Sequence, residues 1–253
     1  MSTGYLAAFA TLFCWTISTF VLARLSRLEN SHILNKAVLF FSIILLGFLV
    51  CILDNLTPIE LFTLPTGSNW IWLSVSGILG KSVGDFCGYK AIRILGPRRR
   101  SMITTLGPGF TWIFGLIILY EKMNWIGVGA MMLTIFSIVL LINNNAEKTE
   151  VKLEKYGLPL NGLLFGIAGA LLTGVAFILA KMTIVETGEN ISAFHGTWMR
   201  IISAFLALMV FDLVRRENAG FVKQFITDKE KGLLVFLTIL FGAILGLSFS
   251  LIA

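Results

Sequence analysis

Long apolar runs of about twenty residues recur along the whole chain, separated by short polar segments. An α-helix rises about 1.5 Å per residue, so such a run crosses the roughly 30 Å of hydrocarbon in a bilayer. The pattern predicts eight membrane-spanning helices, called helices 1 to 8: 4–24, 34–53, 70–92, 101–119, 123–143, 159–182, 193–214 and 231–253. A polar, mixed-charge segment between helices 5 and 6, residues 146–158, is predicted to be a linker.

Composition agrees with the pattern of apolar runs. The chain is 57% hydrophobic and only 13% charged, which is about half the charged fraction of an average soluble domain. Its three cysteines show no metal-ligand spacing, so the sequence predicts neither a disulfide framework nor a metal site. The expected fold class is therefore an all-α, polytopic membrane protein.

The net charge of +6 is distributed unevenly between the loops. The N-terminus and the loops after helices 2, 4 and 6 together hold two Lys and Arg residues. The odd-numbered loops, which follow helices 1, 3, 5 and 7, together hold sixteen. This bias is the positive-inside pattern, and it predicts that the odd-numbered loops are cytoplasmic and face anionic lipid head groups. The basic charge thus indicates the lipid bilayer as a partner and gives no reason to expect nucleic acid.

An internal repeat is indicated by small residues in helices 3 and 8. Aligning the Ile-Leu-Gly triplets at 78–80 and 244–246 superposes two rows of small residues: Ser76, Gly80 and Gly84 on Gly242, Gly246 and Ser250. The end of helix 1, residues 20–26, also matches the end of helix 6, residues 177–183, almost type for type. A repeat unit of five helices follows, and an odd number of crossings inverts the second copy, as in secondary transporters.

Helices 4 and 5 carry a family resemblance. Pro108, Glu121 and Gly127 or Gly129 resemble the signature end of an EamA domain in the drug/metabolite transporter superfamily, and Arg200 resembles the Arg that opens a repeat's second helix. The resemblance implies ten helices in two inverted halves and a metabolite or drug exporter. It also implies cytoplasmic termini, contrary to the charge distribution, which is preferred here.

The repeat also predicts how much of the second half is present. The last residue, Ala253, aligns with Cys87 of helix 3, so counterparts of helices 4 and 5 are expected to be missing by truncation or because the chain is a fragment. The predicted organisation is a first five-helix repeat, 1–145, the linker, 146–158, and an incomplete second repeat of three helices, 159–253.

Lys81 and Asp85 are the strongest candidates for a functional site. They lie one turn apart near the middle of helix 3, where each charge costs about 2.5–3.5 kcal/mol on an insertion scale, so they should face a cavity or a partner. The repeated small residues are structural, but Lys81 and Asp85 align with Leu247 and Leu251. They are therefore predicted to bind a substrate or a coupling ion. The alternative is an internal ion pair that holds helix 3 to its neighbours.

For the other candidate site residues, a structural role weighs at least as much as a functional one. Arg200 in helix 7 could hold an anionic substrate group or extend to the interface, and Trp15 in helix 1 could stack on a substrate or simply pack. His195 is interpreted as an interfacial side chain and Glu121 as an N-terminal residue of helix 5. Pro108 should break or kink helix 4.

Function classes other than transport remain open. Residues 82–85, Ser-Val-Gly-Asp, are similar to the Gly-x-Gly-Asp of intramembrane aspartyl proteases, but no second aspartate lies in mid-membrane. The chain is therefore not expected to be an enzyme or to need a cofactor. A membrane scaffold or a subunit of a lipid-linked flippase is the closer alternative. The expected partners are a small-molecule substrate and the bilayer, with a homodimer left open.

Overall fold

A computed structural model provides the structure of the protein. It describes the following residues: 2–120, 127–129, 132–133, 136–137, 140, 160–187, 191–215, 221–246 and 249. The linker 146–158, the position of Glu121 and most of helix 5 lie outside the described residues. No β-strand occurs in the part of the chain that the structure describes, which confirms the all-α fold class.

Among the described residues, five helical stretches are long and apolar enough to cross a membrane. They comprise Tyr5–Leu28, Ser31–Leu53, Pro97–Ile118, Leu160–Thr183 and Ala193–Val214, which correspond to predicted helices 1, 2, 4, 6 and 7. The helices that contain three of them extend further, as Ser2–Leu28, Leu160–Thr187 and Ala193–Arg215, and Ser31–Leu53 keeps the same bounds. The chain is therefore a multi-pass helical protein, and the count of eight spans stays a prediction.

Helices 3 and 8 each change their hydrogen-bonding pattern partway along. Helix 3 consists of α-helix Gly67–Gly77, π-helix Ile78–Gly84 and α-helix Asp85–Leu95. Helix 8 consists of α-helix Lys229–Ile239 followed by π-helix Leu240–Gly246. Two short helices that the apolar pattern does not predict, Glu60–Thr63 and Phe221–Thr227, lie between the longer ones.

Glycine and proline shape the connection between helices 3 and 4. Gly96 has a φ of +81°, a left-handed conformation that glycine adopts without strain, and Pro97 begins the next helix. Helix 4 is then divided into Pro97–Thr104 and Gly107–Ile118, and Pro108 lies in the first turn of the second part. The predicted break at Pro108 is confirmed.

The large apolar side chains divide between an outward surface and two buried clusters. Phe9, Phe13 and Phe48 are each about 70% exposed, as expected of side chains that face lipid. One buried cluster joins helices 1, 2, 3 and 8, and the other joins helices 2, 3 and 7. Helix 2 contributes to both clusters and therefore ties the two halves of the chain together.

The rows of small residues in helices 3 and 8 pack against helices of the opposite half. In helix 3, Ser76 donates a hydrogen bond to the carbonyl oxygen of Ala176 in helix 6 (2.6 Å), and a Cβ atom at Gly80 would lie only 2.7 Å from the Ala176 Cβ. In helix 8, a Cβ atom at Gly242 would lie 2.8 Å from Ser18 Oγ in helix 1. Both rows thus allow close helix packing. Ser250 lies outside the described residues.

Candidate functional site

The site forms around the π-helical segment of helix 3. A π-turn pairs each carbonyl with the amide five residues on, so carbonyl groups where the two helix types meet need other donors. Asn35 of helix 2, which is fully buried, supplies one: its Nδ2 donates to the carbonyl oxygens of Lys81 (3.2 Å) and Ser82 (2.8 Å). Its Oδ1 is buried and has no hydrogen-bond partner among the described residues.

Lys81 and Asp85 form an ion pair across this segment. Lys81 Nζ lies 3.5 Å from an oxygen of the Asp85 carboxylate, one turn further along the helix. The two side chains are 37% and 24% exposed, so the pair is accessible from one side although it lies in the middle of a long apolar helix. The ion pair that the four-residue spacing of Lys81 and Asp85 allows is therefore present. Its partial exposure leaves it accessible to a solute.

Arg200 of helix 7 lies against the same part of helix 3. Its backbone packs so closely on Gly77 that a Cβ atom there would lie 2.1 Å from the Arg200 carbonyl oxygen. Its guanidinium passes Gly80, lies over the Phe177 ring of helix 6 at 5.5 Å, and is attracted electrostatically by the Asp85 carboxylate. Arg200 is 92% buried, and its Nε has no hydrogen-bond partner among the residues that the structure describes. An arginine buried to this extent does not extend to the interface.

Trp15 is placed apart from these three residues. Its indole lies against Gly246 of helix 8, where a Cβ atom would be 2.3 Å from Trp15 Nε1, and 47% of the residue is exposed. No hydrogen bond, ion pair or ring contact within the described residues joins it to Lys81, Asp85 or Arg200. The structure thus brings together three of the four predicted site residues.

A second buried polar cluster was missed by the sequence analysis. Asp212, near the end of helix 7, accepts hydrogen bonds from Lys36 Nζ (2.5 Å) and pairs with His32 Nε2 (2.6 Å), both in helix 2. Lys36 is 1% exposed and Asp212 is 5% exposed. Lys36 lies close to the first residue of predicted helix 2, 34–53. The spacing of His32 and Lys36, one turn apart at the start of an apolar helix, is the signal that could have indicated a buried pair.

His195 holds the loop between helices 2 and 3 in place. It is 4% exposed, and its Nε2 lies 2.9 Å from the carbonyl oxygen of Leu61 in the short helix Glu60–Thr63. Nearby, Ser192 Oγ donates to Asp54 at the end of helix 2 (2.5 Å). The loop is thus fixed to the start of helix 7, and His195 makes a structural contact there.

Within the described residues, no group of three or more His, Cys, Asp or Glu side chains could hold a metal ion. The site therefore offers charged and hydrogen-bonding groups for a solute: one carboxylate, one ammonium and one guanidinium from two helices, with Asn35 beside them. Such a set can bind a polar or charged small molecule.

Comparison with protein families places these features in context. The model of the EamA-like transporter family matches residues 2–143, which is more than half of the chain. The chain belongs to the EamA-like transporter family. The matched region contains helices 1 to 5 with Lys81, Asp85 and Pro108. Curated proteins give no match to the chain.

Membership in the EamA-like transporter family accounts for the helical architecture. The family is one of membrane transporters in the drug/metabolite transporter superfamily, and the five apolar helices agree with a multi-pass membrane protein. Arg200 lies beyond the matched residues, in the half of the chain that follows the linker. The electrostatic attraction between Arg200 and Asp85 is therefore seen in the three-dimensional structure and not in the family match.

Proposed function

We propose that this EamA-family protein is a secondary transporter that exports a small polar or amphipathic solute by alternating access. Lys81, Asp85 and Arg200 line the binding site in this proposal, and Asp85 either binds a cationic group of the solute or takes up the proton that drives exchange. The substrate class follows from the charges available: a solute with both an anionic and a cationic group would match Arg200 or Lys81 and Asp85 together.

The observation that carries the proposal is a pair of orphaned polar atoms beside the ion pair. Asn35 Oδ1 from helix 2 and Arg200 Nε from helix 7 are buried without hydrogen-bond partners among the described residues. A buried polar group without a partner costs about 1–3 kcal/mol, so two of them near an accessible ion pair suggest that a ligand completes their hydrogen bonding. A scaffold protein has no need for such a site.

The contacts between the halves support alternating access. The small residues of helix 3 pack on helix 6, and those of helix 8 pack on helix 1, as expected if the two halves are inverted copies. We therefore propose that helices 3 and 8 are related by a pseudo-two-fold axis in the membrane plane, with the site between the halves. An experimental structure in which helices 3 and 8 run parallel would contradict this arrangement.

A transport assay tests the proposed function. The full chain would be reconstituted in liposomes loaded with a pooled metabolite extract, and released solutes would be identified by mass spectrometry. We expect release of one chemical class of polar solute above the level of protein-free liposomes. Matched liposomes with the chain carrying both Lys81→Leu and Asp85→Leu provide the control. Release no greater than from protein-free liposomes across the whole extract would favour the scaffold or flippase-subunit alternative.

Orientation is proposed from the loop charges, with the loop between helices 3 and 4 in the cytoplasm. Cysteines would be introduced one at a time at Thr66, before helix 3, and at Ser101, after it, in a chain without its native cysteines. Both positions are exposed. An impermeant maleimide should label Thr66→Cys in intact cells and Ser101→Cys only after permeabilisation. The reverse labelling would show that the family's orientation applies instead.

A further inference from the structure

A cleft on the basic end of helix 3 is separate from the Lys81–Asp85 pair. It has a volume of 410 Å³ and lies between the start of helix 2 and the last turns of helix 3. Its lining residues are Asn30, Ser31, Phe86, Lys90, Arg93 and Ile94. None of them belongs to the ion pair or to the cluster around Asp212, so the proposed transport site does not explain the cleft.

The charged residues of the cleft are both cations. Lys90 Nζ lies 4.2 Å from the centre of the Phe165 ring of helix 6 and 5.7 Å from that of Phe86, so aromatic faces hold the ammonium in place. Neither Lys90 nor Arg93 has an ion-pair partner among the described residues. By contrast, four other basic residues near helices 1 to 3 each pair with a carboxylate: Arg24, Lys36, Lys81 and Lys231.

The neighbouring carboxylates form ion pairs with other cations. Glu29 precedes the cleft residue Asn30 and its Oε1 accepts from the Asn30 backbone amide (3.3 Å), while its Oε2 accepts from Lys231 Nζ (2.8 Å) and Gln224 Nε2 (2.7 Å). Asp212 is held by Lys36 and His32. Neither carboxylate therefore forms an ion pair with Lys90 or Arg93 among the described residues.

The start of helix 2 adds neutral donors. Ser31 lines the cleft, and the residue is 98% buried. Asn30 occupies the N-cap position without a side-chain hydrogen bond to the first turn. The amides of that turn and the positive end of the helix dipole thus face the same region as Ser31.

We propose that this cleft binds a phosphate group, either from an anionic phospholipid or from a soluble phosphate. A phosphate carries several acceptor oxygens and one or two negative charges, which match an arginine fork, an ammonium, a hydroxyl and a helix N-terminus. The Ser31 hydroxyl lines the cleft and can donate to one of these oxygens. The cleft is larger than one phosphate, so part of a head group also fits. This inference needs no transport activity.

Binding by the full chain in detergent would be measured by native mass spectrometry. The probes are phosphatidylglycerol, diacylglycerol with the same acyl chains, and inorganic phosphate. We expect phosphatidylglycerol to bind and diacylglycerol not to bind. If inorganic phosphate displaces phosphatidylglycerol, a soluble phosphate is a ligand of the cleft. If it does not displace phosphatidylglycerol, the ligand is the lipid. Equal binding of both lipids, with no binding of inorganic phosphate, would overturn the proposal.

Variants test whether binding occurs in the cleft. The double variant Lys90→Gln, Arg93→Gln should weaken phosphatidylglycerol binding at least about tenfold, and Ser31→Ala should weaken it about two- to tenfold. A control with the same charge change, Arg27→Gln with Lys229→Gln, removes exposed cations from the same end of the molecule and should change binding less than about twofold. Equal weakening by the control would show nonspecific attraction. If the Lys90 double variant fails to fold, Arg93→Gln and Ser31→Ala decide the question.

Discussion

Asp85→Asn should strongly impair transport while leaving the protein folded. Asparagine keeps the shape of aspartate but removes the charge that faces Lys81 and Arg200. Loss of one charge-assisted hydrogen bond to a solute, at about 1.5–3 kcal/mol, predicts a decrease in solute affinity of about tenfold to a hundredfold. If Asp85 carries the coupling proton, uptake against a gradient should disappear altogether because asparagine does not titrate.

The folded state should tolerate this substitution because the Lys81 and Asp85 side chains are partly exposed. Exposed ion pairs contribute about 1 kcal/mol or less, so thermal unfolding followed by fluorescence-detected size exclusion should change little. Asp228→Asn is the matched control: Asp228 caps helix 8 by accepting from the amides of Glu230 and Lys231, and asparagine caps equally well. This control should transport like the wild type.

The double variant Lys81→Leu, Asp85→Leu separates a binding role from a structural one. It replaces both charges with the residues found at the aligned positions of the predicted second repeat, Leu247 and Leu251. A folded double variant that transports as well as the wild type would show that the ion pair is structural. Arg200 and Asn35 would then be the residues to substitute next, because their orphaned polar atoms would still need a ligand.

The apolar pattern was sufficient to predict most helices, because a span must be long and apolar whatever it packs against. It could not predict the π-helical segment at Ile78–Gly84, since that segment depends on a tertiary contact. Asn35, more than forty residues earlier in the chain, donates to the carbonyl groups of Lys81 and Ser82. The local sequence of helix 3 contains no information about this donor.

Charge in the middle of an apolar run indicated the candidate site, whereas charge near the end of a run did not indicate the second cluster. Lys81 and Asp85 were identified because nothing in helix 3 explains them. Lys36 and Asp212 lie near helix ends, where charged residues are usual, and 176 positions separate them in the chain. Their burial therefore became evident only when helices 2 and 7 were seen to pack together.

Helices 2 and 7 come from opposite halves of the chain, so the cluster of His32, Lys36 and Asp212 joins the two halves. The Phe211 and Phe86 rings pack edge-on against His32 at 5.8 and 6.3 Å and keep the cluster in apolar surroundings. An ion pair in such surroundings is held more firmly than an exposed one, because water cannot replace either partner. Alternating access would have to keep this contact or break it at a considerable cost in free energy.

Lys36→Met should destabilise the protein by about 3–5 kcal/mol, because it leaves the buried Asp212 carboxylate without its ammonium partner. His32 keeps its bond to the other oxygen of Asp212, which places the expected loss towards the lower end of that range. The free energy of unfolding would be measured by titration with sodium dodecyl sulfate in mixed micelles. Arg24→Met is the matched control: its ion pair with Glu230 is 69% and 52% exposed, so its loss should cost less than about 1 kcal/mol.

The double variant Lys36→Met, Asp212→Asn should recover most of the stability that Lys36→Met loses. Asparagine is neutral, so no unpaired charge remains buried, and its carbonyl oxygen can still accept a hydrogen bond from His32. The interaction free energy from the double-mutant cycle would then be favourable and of similar size to the loss in the single variant. Equal destabilisation by Lys36→Met and Arg24→Met would contradict the prediction, because it would mean that water reaches Asp212 as freely as it reaches Glu230.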